Sequence, residues 1–203
     1  YNLNEQCVNT FNGTSWISGG ATGWSLAGNS GTNPSVNFLG TTDDQPLRFR
    51  VNNLPAGEMH PTRDNTFIGE QAGDNSVGEQ NTAVGAKALH SNLSGCWNTA
   101  IGAQALSSAQ AGYSNTACGL MALYSNSTGG WNTATGVNAL KNNTTGDFNT
   151  TSGVGALNTN GTGSNNTASG YQALFYNSTG RSNVAVGIGA LYNNTTRSNL
   201  VAI

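Results

Sequence analysis

The stretch NTAVGAKALHSNLSGCW, residues 81–97, is followed at once by NTAIGAQALSSAQAGYS (98–114) and then by NTACGLMALYSNSTGGW (115–131). A unit of this length cannot close a core of its own. A fixed short period is the mark of an array in which each unit buries its apolar face against its neighbours. The glycine of the Asn-Thr-Ala-x-Gly signature falls at Gly69, Gly85, Gly102, Gly119, Gly136, Gly153, Gly170 and Gly187, one step of 16 residues and then six of 17. The array is therefore expected over residues 65–203, as about eight coils plus an incomplete ninth that ends at Ile203. Residues 1–64 lack the period and are expected to form a β-rich cap or connector. The opening YNLNEQCVNTFNG reads as mid-protein sequence, so the chain is expected to be a fragment.

Several slots recur in every coil. Asn opens the unit, at Asn81, Asn98, Asn115, Asn132, Asn149, Asn166 and Asn183. An Ala-Leu pair follows, with Leu89, Leu106, Leu123, Leu140, Leu157, Leu174 and Leu191. A second Asn recurs eleven residues after the first, broken only by Ala109, and a second Gly at offset fourteen, broken by Arg197. Helix-pair repeats need more than about thirty residues, and a unit rich in Gly, Asn and Thr is a poor helix former. Asn and Gly instead tolerate the left-handed backbone of tight corners. The fold class is therefore all-β: each unit is one coil of a parallel β-solenoid or β-roll, with coils about 4.8 Å apart.

Stacking accounts for the composition. Like residues stand over like, so Asn can form hydrogen-bonded ladders and Leu a dry seam. Charges would repel their own copies. Charged residues make up 8% of the chain, against about 25% in ordinary soluble domains. From residue 88 onward only Lys141, Asp147, Arg181 and Arg197 are charged, and no two share a slot in adjacent coils.

Besides Ala and Leu, the apolar slots at Val84, Ile101, Val137, Val154, Val186 and Ile188 are read as core. Cys118 occupies the Val84 slot and is read as a small buried hydrophobe. The core is thin even so. Small residues such as Ala83, Gly85 and Ala88 would let another backbone approach. Self-association through them is therefore expected, against the alternative of a self-sufficient monomer. Cys7, Cys96 and Cys118 have no metal-ligand spacing, and their odd number does not make a disulfide framework.

NTAVGAKAL, NTAIGAQAL and NVAVGIGAL resemble the YadA-like head repeats of trimeric autotransporter adhesins. The longer NTAxGxxALxxNxTG form resembles the version in phage tail fibres and large bacterial surface fibre proteins. The approach segment GWSLAGNSGTNPSVNFLGTTDDQPLRFRVNN followed by NTFIGEQAG matches the same group, so the resemblance covers about residues 20–203. It implies a homotrimer of left-handed parallel β-rolls, displayed on a fibre and used for attachment. The coil is long for an adhesin head, and neither a coiled-coil stalk nor a membrane anchor is present in the sequence.

In residues 1–64, PLRFRV alternates Leu47, Phe49 and Val51 with Arg48, Arg50 and Asn52, the pattern of a half-buried strand. TTDDQP before it reads as a turn, and a short strand is expected at Trp24 to Leu26. Eleven of the sixteen charged residues lie between 43 and 87, a surface unlike the rest of the array.

No catalytic constellation accompanies these features, and the chain is read as a non-enzyme without cofactor or metal. Glu58, His60, Arg63 and Asp64 cluster in EMHPTRD without a nucleophile, which favours a solvated connector. Scattered Lys and Arg argue against nucleic acid, and no apolar run is long enough for membrane insertion as a helix. The triplets NST at 126 and NTT at 143 match glycosylation acceptors but fall on the coil's turn, which explains them without sugar.

Attachment is the activity expected, on the cell surface or a virion fibre. Candidate ligand contacts are Trp97, Tyr113, Trp131 and Phe148 at the end of the coil, and Tyr124, Phe175 and Tyr192 at offset nine. Aromatic faces with amides and hydroxyls nearby suit a surface glycan or receptor; packing over the roll or between chains is the alternative. A different class is an ice-binding solenoid, using the column Thr66, Thr82, Thr99, Thr116, Thr133, Thr150 and Thr167.

Overall fold

The computed structural model describes residues 9–11, 16–18, 30, 33, 35 and 38–203. The strand expected at Trp24 to Leu26 lies outside these residues. Two compact units are present, Tyr1–Thr41 and Thr42–Ile203. The first contains an antiparallel pair, β1 (Asn9–Phe11) and β2 (Trp16–Ser18).

The second unit holds one eleven-stranded sheet. It begins with β3 (Leu47–Val51), β4 (Leu54–His60) and β5 (Asn65–Ile68), antiparallel in that order. One short strand per coil then follows in parallel: β6 (Thr82–Val84), β7 (Thr99–Ile101), β8 (Thr116–Cys118), β9 (Thr133–Thr135), β10 (Thr150–Ser152), β11 (Thr167–Ser169), β12 (Val184–Val186) and β13 (Val201–Ala202). Thr82 pairs with Thr99, Thr99 with Thr116 and Thr116 with Thr133, so the register advances by one repeat at every coil. The chain is a parallel β-solenoid of about eight coils, some 40 Å long at the spacing of adjacent strands.

Each corner has a specific backbone. Three slots per coil carry the left-handed conformation. In one coil these are Gln104 (φ 58°), Leu106 (φ 50°) and Ser114 (φ 55°). The Gly after each strand takes φ between 119° and 142°. A Cβ on Gly119 would stand 2.5 Å from the carbonyl oxygen of Gly136 in the next coil, so this close approach excludes every side chain.

Two Asn ladders run inside the rod. In the first, the side-chain oxygen of each Asn accepts the backbone N–H of the Asn one coil on, as in Asn115 N–H to Asn98 Oδ1 (3.0 Å) and Asn132 N–H to Asn115 Oδ1 (3.0 Å). Each Nδ2 also donates to the carbonyl fourteen residues on (thirteen for Asn65), Gly in every coil but the last, as Asn132 to Gly146 at 2.8 Å and Asn183 to Arg197 at 2.9 Å. Amide-to-amide contacts of 3.1–3.2 Å are the secondary part of this ladder. In the second they are the main part: Asn143 to Asn126 and Asn160 to Asn143, both 2.7 Å. The Asn of the NST and NTT triplets, Asn126 and Asn143, are wholly buried in it.

The rest of the interior corrects the sequence reading. It consists of the Leu column and two Ala per coil, such as Ala83 and Ala88, buried throughout except in the last full coil, where Ala190 and Leu191 are half-buried. These Ala face the inside of the coil, so they do not lie at a contact between chains. Val84, Ile101, Val137, Val154, Val186 and Ile188 are exposed, not core. Cys118 is likewise exposed. For Val84, Ile101, Cys118 and Val186 the cause is the pleat of a three-residue strand, which turns only its middle residue inward; Val137, Val154 and Ile188 lie beyond the strand, after the coil's Gly. Two coils vary the inner set. Thr151 takes an Ala slot and satisfies its hydroxyl on the Thr133 carbonyl at 3.3 Å. In the first coil Phe67 and Gly73 replace Ala and Leu, and the Phe67 ring fills the space a Gly73 side chain would need. Large and small are exchanged, leaving the volume nearly constant.

LRFRV is a strand, but not half-buried: Phe49 is 41% and Val51 69% exposed. Among the described residues its sheet neighbour is β4, and β4 in turn occupies the edge of β5. Residues 42–44 bend, as TTDDQP implied.

The ladder is expected to dominate stability. Asn132→Ala leaves the buried Asn149 N–H without a partner and takes one of two donors from the Gly146 carbonyl, which keeps Asn143 Nδ2, and should cost about 2–4 kcal/mol. Asn142→Ala, on the exposed face, should cost under about 0.5 kcal/mol. Urea denaturation of the two variants measures the difference.

Candidate functional site

The slot just before the first Asn of each coil is an exposed corner with left-handed backbone. Asn165 and Asn199 (both φ 60°) and Ser114 and Ser182 (both φ 55°) suit it. Trp97 (φ 58°), Trp131 (φ 54°) and Phe148 (φ 56°) do not. A bulky residue there costs about 1–2 kcal/mol, which Asn largely avoids. The aromatic residues are nevertheless exposed, at 60%, 47% and 52%. Such a strained, solvent-facing choice marks a candidate site.

The rings organise one another. Trp131 and Phe148 stack, with centroids 4.8 Å apart and planes within 5°. Tyr113 meets Trp131 edge-on at 4.5 Å. Gly130 makes room for this: a Cβ there would stand 3.3 Å from the Tyr113 ring. The Gly130 N–H donates to Asp147 Oδ1 at 2.7 Å, placing a carboxylate beside the aromatic row. Trp97 sits two coils before Trp131 in the same slot and donates its Nε1–H to Gln80 Oε1.

Offset nine lies on a different corner. Phe175 and Tyr192 stack at 5.4 Å, and Tyr176 meets both edge-on, at 4.8 and 5.1 Å. Hydrogen bonding with Tyr176, then desolvation, raises the Tyr192 phenol above its usual value. Tyr124 stands three coils from Phe175, with Lys141 and Asn158 between them in the slot, and does not join this cluster. The seven candidate contacts thus form two groups and an outlier. Tyr176, one residue beyond the slot considered, was missed; its adjacency to Phe175 in the sequence was the available signal.

The Thr column is real as geometry. Thr66 through Thr167 are paired coil to coil, and most are exposed. The companion outward slot is mixed, with Val84, Ile101, Cys118, Thr135 and Ser152 in succession.

Among the described residues no three His, Cys, Asp or Glu side chains gather to hold a metal ion, and no helix is long and apolar enough to cross a membrane. Comparison with protein-family models, with curated proteins and with solved structures finds no match.

The aromatic corner is expected to be nearly dispensable for folding. Trp131→Asn loses about 0.5–1.5 kcal/mol of ring contact and regains about 1 kcal/mol of backbone preference. Thermal denaturation should therefore place the variant within about 1 kcal/mol of the parent.

Proposed function

We propose that this chain is a non-enzymatic segment of an extracellular or virion-borne fibre, a rigid spacer that also carries an attachment surface for a glycan or protein receptor. The observation that carries this reading is the aromatic row Tyr113, Trp131 and Phe148: Trp131 and Phe148 are held exposed on a strained corner of the coil, and Tyr113 packs edge-on against Trp131. Ring surfaces beside amides and the Asp147 carboxylate suit a sugar, whose C–H face packs on the aromatic while its hydroxyls find polar partners. Repetition along the rod makes weak contacts multivalent.

The same reading includes a homotrimer of left-handed rolls. The buried Ala column cannot supply the contact between chains. The outward strip of Val84, Ile101, Leu120, Val137, Val154 and Val186 can. It is apolar and free of charge, and it runs on the two slots that flank the coil's Gly, with Val84, Ile101 and Val186 before it and Leu120, Val137 and Val154 after it. A second copy of this chain shares that spacing and can meet it coil for coil. The β3–β4 hairpin serves in this scheme as the cap of the first coil, since its second strand takes that coil's open edge.

The ice-binding reading is favoured by one observation, the exposed Thr column in unbroken register. The mixed slot beside it offers no matching second row. Freezing-point depression separates the two readings: the fibre account expects no thermal hysteresis.

Two measurements test the proposal. Native mass in solution should be three times the 20.8 kDa chain, and Val137→Asp should dissociate it. On a glycan array, or with whole cells, the parent should bind and Trp131→Asn should lose about tenfold or more, the worth of one lost aromatic contact. A monomer that binds nothing would overturn both parts.

A further inference from the structure

Charge is avoided along the coils, yet three of the chain's five arginines, Arg48, Arg50 and Arg63, line one cleft of about 600 Å³. It lies where the β3–β4 hairpin meets the first coil. Its size falls within the range of small-molecule sites. Two glycines keep it open. A Cβ on Gly57 would stand 3.2 Å from the Phe49 ring, and Gly73 leaves its side-chain space to Phe67.

The three arginines are not equivalent. Arg48 Nε is committed to Glu58 at 2.7 Å, the one ion pair among the described residues. Arg50 donates one N–H to Asn53 Oδ1 at 2.9 Å. Arg63 reaches only the Ser76 carbonyl, at a long 3.5 Å. Neither pairs with a carboxylate among the described residues, so two guanidinium forks stand with most of their donors unused. Glu58 and Asp74 also line the cleft, but Arg48 neutralises Glu58, and the balance stays positive by one charge (three Arg against Glu58 and Asp74). Phe49, Val77 and Leu93 add an exposed apolar wall.

We propose that this cleft binds the ring of an acidic sugar, with its carboxylate on Arg50 and Arg63 and its C–H face on Phe49, Val77 and Leu93. A guanidinium fork matches a carboxylate in two parallel hydrogen bonds. The apolar wall distinguishes a sugar acid from a bare anion. The site lies on a different element from the aromatic corner and does not depend on it.

The test is calorimetry on the full chain with glucuronate, N-acetylneuraminate, glucose and inorganic phosphate as separate probes. At least one sugar acid should bind, with glucose and phosphate at least about tenfold weaker, the order of one lost charge-assisted contact. Arg50→Gln with Arg63→Gln should reduce sugar-acid binding at least about tenfold without moving the thermal midpoint. Val77→Asp, an exposed change that adds a repelling charge, should weaken it in the same direction. Trp131→Asn should leave it unchanged, so failure here and failure at the aromatic corner are told apart. The proposal is overturned if neither sugar acid binds, if glucose or phosphate binds as well as they do, or if the arginine variant and Val77→Asp both match the parent.

Discussion

Every residue in this rod lives about 4.8 Å from a copy of its own slot. That constraint decides which chemistry is allowed. A charge would face its like, whereas an amide is both donor and acceptor and can pass a hydrogen bond to its copy without limit. Asn therefore occupies the interior, in two wholly buried columns. Where the ladder meets Ala109 or Leu200 it stops passing amide bonds, although the Leu200 N–H still donates to Asn183 Oδ1 at 3.0 Å. Leu fits the same rule by dispersion alone, and Gly fits it by letting the backbones of adjacent coils nearly touch.

The corners show the cost of this geometry. Leu106, Leu123 and Leu140 all hold φ near 50°, an unfavourable backbone for Leu. Complete burial in the seam offsets that cost, at about 2 kcal/mol for each Leu. No such compensation by burial exists for Trp131 and Phe148, which hold the same conformation in the open. Strain with burial reads as architecture. Strain with exposure reads as something retained for contact, which is why the aromatic corner outranks the Phe175, Tyr176 and Tyr192 cluster as a site.

The period, the parallel register, the Asn and Leu columns and the all-β class were legible in the sequence, because identical letters at a fixed spacing leave one way to stack. Which face of the strand points inward was not. Hydrophobicity alone puts Val84 and Ile101 inside and Ala83 outside; the pleat reverses them, since the middle residue of each three-residue strand is the one that faces the interior. The reading of Cys118 as buried and the expectation that Ala83 is open to another backbone fail for the same reason. The hairpin misled differently. Its alternation is that of a half-buried strand, but Val51 stays largely exposed. The two aromatic groups were visible as residues but not as separate corners, because offset nine and the end of the coil cannot be placed without the backbone. The arginine cleft was hidden altogether, being assembled from the hairpin, the link after it and the first two coils.

The register of n over n+17 can be measured as a ruler. Spin labels placed in pairs on the exposed Thr column, in a background without native cysteines and diluted with unlabelled chain, report distances by electron–electron double resonance. Thr82 with Thr150 spans four coils, Thr82 with Thr167 five, and Thr66 with Thr167 six. The stacked solenoid predicts about 19, 24 and 29 Å, a straight line of about 4.8 Å per coil. Distances that fail to grow by that step, or that scatter without order along the column, would contradict it.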